Sequence, residues 1–227
     1  KLFYIYLTLS PSVPMAMAGK SSTILISVMS ISLILLCMSE DVFSIAEERH
    51  LRNEISDVPC SERAAPIWPE KHVIVQKVVP VEGSNAKPAT TVTYYDYPEG
   101  ANLIILTPDD PTKPVMWDLE LNDGTSYYFY PSTRTCKRRQ FPVGILRSDW
   151  LVSEAEPLGE STSWDGSSKR VCGWTKADFI DYYADMETME PVSWYFHTMK
   201  AHFNVLYYKS GESAPDGFFE PPDFCQE

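Results

Sequence analysis

The residues best equipped for chemistry lie between Asp178 and His202. Asp178, Asp181 and Asp185, with Glu187 and Glu190, form an acidic group that runs up to His197 and His202. Paired carboxylates could divide acid and base roles between them. A strand through Asp178–Tyr183 would put Asp178 and Asp181 on opposite faces, because an odd offset reverses the side chain. The group therefore reads as solvent-facing carboxylates and turn residues. His197 and His202 flank the link Thr198-Met199-Lys200-Ala201 and could face each other across a hairpin. Two imidazoles with no third ligand at compatible spacing do not make a metal site. A GxSxG elbow, a GxGxxG turn, a glycine-rich phosphate loop and a DxD motif are all missing. No catalytic residue is assigned, and no cofactor or metal is expected.

Aromatic density is the more distinctive signal. Tyr94–Tyr97 and Trp174 add to it, and the strands Trp117–Leu121, Tyr127–Tyr130, Asp178–Tyr183, Val192–His197 and Phe203–Tyr208 carry more aromatic surface than one sheet face needs. The plain reading is a thick aromatic core. The functional reading is a pocket for an apolar or sugar-like ligand, since Tyr and Trp offer an apolar body and a polar tip. Trp117, Tyr128, Trp174, Tyr182, Trp194 and Tyr207 are the candidates to line it.

The elements that must position these residues are strands. Pro191–His197 alternates strictly, with Val192, Trp194 and Phe196 on one face. Val115, Trp117, Leu119 and Leu121 alternate with Met116, Asp118 and Glu120, and Asn122-Asp123-Gly124 follows as a hairpin turn. Further strands are expected over 71–79, 91–97, 102–107, 125–130, 135–141 and 202–208, with 186–190 as a turn and 159–166 as a polar loop or edge strand. Val143–Leu151 is the one short helix expected. Strands without interleaved helices imply an antiparallel sheet. The fold expected is mainly β (α+β): a curved antiparallel sheet or half-barrel with one short helix, preceded by an apolar leader helix.

The 227 residues suit one domain plus a removable leader. Residues 1–46 read as upstream residues plus a signal peptide, with Lys20 before the apolar run Ile24–Met38 and small residues at Ser44 and Ala46. Residues 47–66 read as a linker and 67–227 as a single β-rich globular domain. Cleavage after Ala46 would leave no stable membrane span and would place the protein in the secretory pathway or outside the cell. The net charge of −12 excludes a nucleic-acid partner and disfavours an acidic one.

Cys37 falls in the leader. Cys60, Cys136, Cys172 and Cys225 remain, and an even set on the secretory route implies disulfides. Three pairings are open. Because domain termini often lie close together, Cys60–Cys225 with Cys136–Cys172 is the favoured one.

Several of these segments together carry a resemblance: Trp117-Asp118-Leu119-Glu120, Asp123–Tyr128, Thr135-Cys136, Val143–Leu146 with Trp150-Leu151, Cys172 with Trp174, Asp178–Ile180 with Tyr182-Tyr183, and Pro191-Val192 with Trp194. Over about 66–225 the chain resembles a plant family of secretory-pathway proteins whose members are often labelled transferases of glycosyl groups. Members often carry Asn-Gly-Thr where this chain has Asp123-Gly124-Thr125. The layout is also similar, at the level of fold, to ependymin-related and bacterial lipoprotein-carrier proteins, in which a curved antiparallel sheet half-wraps a hydrophobic cavity. The aromatic surplus and the missing motifs favour a secreted module holding an apolar or amphipathic ligand in the concavity of the sheet. The family label implies, as the alternative, a glycosyl-group transferase or other carbohydrate-active enzyme.

Overall fold

A computed structural model describes residues 58–225. The expected leader, most of the expected linker and Cys37 lie outside them. Alternation and turn chemistry give eleven strands: β1 (Lys71–Pro80), β2 (Ala89–Asp96), β3 (Ala101–Pro108), β4 (Met116–Leu121), β5 (Thr125–Tyr130), β6 (Thr135–Gln140), β7 (Glu156–Thr162), β8 (Arg170–Lys176), β9 (Ile180–Asp185), β10 (Pro191–Phe196) and β11 (Ala201–Ser210). All neighbours pair antiparallel in one open sheet with the order β6-β5-β4-β3-β2-β1-β11-β10-β9-β8-β7. Two meanders, β1–β6 and β7–β11, are thus joined edge to edge by the β1–β11 pairing.

Each face of the sheet is covered by a different segment. On one face Trp68 meets His72, Tyr95, Trp150, Tyr182 and Trp194, with ring centroids 5.2–6.2 Å apart. The core beneath it comprises Ile74, Leu151, Trp174, Ile180 and Tyr182, none more than 3% exposed. The alternation of β10 puts Trp194 in this core, as its sequence pattern predicts. The opposite face of β2–β5 buries Leu103, Leu119 and Phe129, and Phe218, Phe219 and Phe224 of the C-terminal tail pack over them. These are called below the Trp68 face and the tail face.

Two expectations are corrected. Val143–Leu151 is irregular, with bends at Val143 and Ile145 and a turn from Ser148 onward, not a helix. Its carbonyls are taken by distant donors: Trp68 N–H bonds Ser148 O at 2.8 Å, the Tyr95 hydroxyl bonds Leu146 O at 2.8 Å, and Lys176 bonds Trp150 O. A helix needs those carbonyls for its own ladder. The disulfides are Cys60–Cys172 and Cys136–Cys225, each with Cα atoms 5.3 Å apart, not Cys60–Cys225 with Cys136–Cys172. Eight strands separate β6 from β8 in the sheet order. Cys172 belongs to the Trp68-face core and Cys136 packs with the tail. The segment before β1 therefore reaches β8 and the C-terminal tail reaches β6, at opposite ends of the strand order.

Candidate functional site

The proposed aromatic lining does not assemble as one site. Trp174, Tyr182 and Trp194 come together, but as packed core on the Trp68 face, exposed by 1%, 1% and 8%. Trp117 lies on the tail face against Phe129 and Phe218. Tyr207 pairs with Val75 across β1 and β11 and is exposed. Tyr128 alone sits beside polar groups on the Trp68 face.

The acidic group near Asp178 also disperses. Ala177 and Asp178 both take positive φ in the β8–β9 turn, so Asp178 is a turn residue. Asp181 Oδ1 and His197 Nε2 share a hydrogen bond at 2.9 Å. Asp185 caps the next turn, accepting from the N–H groups of Glu187 and Thr188. The ring of Tyr195 stands near both His197 and His202, at 5.1 and 4.8 Å. Among the described residues no three His, Cys, Asp or Glu side chains converge on one point.

A different group is built where β3, β4 and β5 run side by side on the Trp68 face. The period of two puts Asn102, Ile104 and Leu106 of β3 on this face, with Met116, Asp118 and Glu120 of β4 and Ser126 and Tyr128 of β5. The register sets them in rows. Asn102 stands opposite Glu120, and Glu120 opposite Ser126; Ile104 stands opposite Asp118, and Asp118 opposite Tyr128; Leu106 stands opposite Met116. One end of the patch is therefore apolar and the other polar.

Two acceptors in this patch are sealed from solvent without a partner: Asn102 Oδ1 and Asp118 Oδ1. Thr91 Oγ1, paired with Leu106 across β2 and β3, is a third such atom. Asn102 spends its amide on Glu120, Nδ2 to Oε2 at 2.7 Å. Burial, with the Glu120 charge next to it, pushes the Asp118 carboxyl up to about 7. Burial also raises Glu120, against the pull of the Asn102 hydrogen bond. The Tyr128 hydroxyl is raised by burial and by both carboxylates. Asp118 can thus hold a proton near neutrality, while Asn102 Oδ1 and Asp118 Oδ1 await donors.

The alternation of Asp118 and Glu120 with Trp117 and Leu119 is plain in the sequence, where polar alternation suggests a solvent-facing side. Their i, i+2 spacing, with Asn102 on the preceding strand, was the available signal. It gains meaning only from the β3–β4 register.

No curated protein matches the chain in sequence. Among solved structures, an uncharacterized conserved protein from Thermus thermophilus is similar at a TM-score of 0.45 and 10% identity, over 79% of this chain and 95% of that one. The family model described as "Domain of unknown function (DUF8395)" matches residues 67–225, from just before Trp68 to the second disulfide, and the chain belongs to that family.

Proposed function

We propose that the protein is a binding module of the secretory pathway that holds an amphipathic, hydroxyl-bearing small molecule on the Trp68 face of β3–β5. The observation that supports this most is the pair of solvent-sealed, unpartnered acceptors, Asn102 Oδ1 and Asp118 Oδ1, beside half-buried Glu120 and Tyr128. A buried acceptor without a donor is costly, on the order of 1–3 kcal/mol, and a ligand hydroxyl would relieve it. Leu106, Met116 and Ile104 offer the apolar half of the same ligand its place. Curling of the open sheet towards this face would deepen the patch into a half-barrel hollow, and two disulfides suit an oxidising compartment.

Asp118 also supports a second reading, a carbohydrate-active enzyme. A carboxyl raised to about 7 can act as a general acid, and Glu120 follows two residues on, roughly 7 Å along the strand. Calorimetric titration with an alkyl glucoside separates the two readings. The binding reading expects saturable uptake without turnover, weakened about tenfold or more by Asn102→Leu or Asp118→Leu, as for loss of one buried hydrogen bond to a charged or polar group. Absence of uptake, with turnover of an activated sugar abolished by Asp118→Asn, would replace it by the enzyme.

A further inference from the structure

We infer that the β6 edge is a docking site for an extended acidic peptide segment of another protein, added to the sheet as a further strand. Thr135–Gln140 carries Lys137, Arg138 and Arg139, with Arg134 directly before it and no acidic residue in the run. All four cations are exposed. The ion pairs among the described residues occupy Lys71, Lys77, Arg147, Arg170, His197 and Lys209, and none of the β6 cations. Asp123, at the β4–β5 turn, is the carboxylate that feels Arg138. In a chain of net charge −12, this is a local reversal of sign.

The strand is also an open edge. Among the described residues β6 pairs only with β5, so half of its backbone N–H and C=O groups point away from the sheet. Lysine on an edge strand guards against self-pairing, and a net charge of −12 opposes association with a second copy. A short acidic strand meets no such opposition at this edge. The cations alternate as strand residues must: Lys137 and Arg139 stand opposite Tyr128 and Ser126 on the Trp68 face, and Arg138 stands opposite Tyr127 on the tail face. An added strand alternates in the same way, so its carboxylates would meet cations on both faces while its backbone pairs with the edge. A polysaccharide or nucleic acid could use the charge but not the backbone ladder. Two of the guanidiniums are already held in place, Arg134 5.0 Å from the Phe224 ring centroid and Arg138 5.9 Å from that of Tyr127. Less side-chain freedom is then lost on binding.

The test is fluorescence anisotropy of a labelled peptide of alternating Glu and Val with the native protein. Saturable binding is expected, falling as salt rises from about 50 to about 300 mM. Lys137→Glu with Arg139→Glu should weaken it by about tenfold or more. Methylating alternate backbone nitrogens on one edge of the peptide should weaken it as much, because only strand addition needs them. Near-UV circular dichroism establishes that the variant is folded, and Lys137→Gln with Arg139→Gln provides a milder pair if it is not. No saturable binding overturns the proposal. So does equal binding of the methylated peptide, or tighter binding of a polyuronate or single-stranded DNA, which would mark the strip as a general anion surface.

Discussion

Asp118 and His72 oppose each other in the pH dependence of stability. Asp118 is raised from 3.8 to about 7, so between those values the native state keeps a proton that the unfolded chain releases. Its contribution is fully present below the unfolded value and is lost as pH rises towards 7. His72 stacks on Tyr95 at 4.8 Å and is lowered by burial from 6.5 to about 4. The unfolded chain takes up a proton that the native imidazole refuses, so stability is lost as pH falls from 6.5 towards 4. The two slopes partly cancel across that window. Asp118→Asn should unmask the His72 slope, giving stability that climbs with pH from about 4 to about 6.5 and exceeds the parent at about pH 8. Solvent screening of the carboxylate reduces the gain at high pH to on the order of 1–2 kcal/mol. Urea midpoints across pH measure it, and a profile parallel to the parent's would show that Asp118 is not raised.

Among the elements, the two cross-links and the 141–155 connection fix which segment covers which face. Cys60–Cys172 closes a sequence separation of 112 and ties the lead-in segment to β8. Replacing both of its cysteines by Ser should cost on the order of 2–5 kcal/mol. Non-reducing peptide mapping should recover Cys60 with Cys172 and Cys136 with Cys225, and any Cys60–Cys225 peptide as the main species would contradict this arrangement. The connection passes close to the β4–β5 turn at Gly144, where an added Cβ would lie 2.2 Å from the backbone oxygen of Asn122. Backbone cannot yield as a side chain can, so Gly144→Ala should destabilise by on the order of 1–3 kcal/mol. A neutral effect on the urea midpoint would mean that the connection can move off the turn.

For the whole molecule, one seam decides cooperativity. β1 and β11 pair His72 with Ser210 through Pro80 with Ala201, and among the described residues this pairing alone joins the two meanders within the sheet. Ile74 lies at the seam, fully buried in the Trp68-face core, opposite Tyr208. Ile74→Ala should therefore cost about 2–5 kcal/mol and lower both halves together. Near-UV dichroism should follow the same transition as Tyr and Trp fluorescence. Separate transitions would show that the meanders are independent units. Trp194→Ala, by contrast, opens the β7–β11 side of the same core, at about 3–5 kcal/mol. Pairing of residues this distant in sequence also predicts slow folding, in the range of milliseconds to seconds.

The sequence by itself determined nine of the eleven strands and the turns between most of them. β8 is not among the strands it predicts, and 159–166, which overlaps β7, reads as a polar loop or edge strand. Strict alternation around Trp117, Trp194 and Phe203, with Asp123-Gly124 between β4 and β5, reflects backbone geometry that acts over a few residues. It also determined that Trp194 is core and that this is an antiparallel β protein. It did not determine what lies on top of the sheet. Asp118 and Glu120 alternate with Trp117 and Leu119 as solvent-facing residues would, yet both are half-buried. Trp68, Trp150 and Leu151 pack on the core of one face and Phe218–Phe224 on the other. A period of two says that faces differ but not which one is wet. Nor could it pair the cysteines, because that depends on β6 and β8 standing with eight strands between them. The tertiary structure decided those points because strand order and coverage are set by contacts between residues far apart in the chain, to which no local pattern is sensitive.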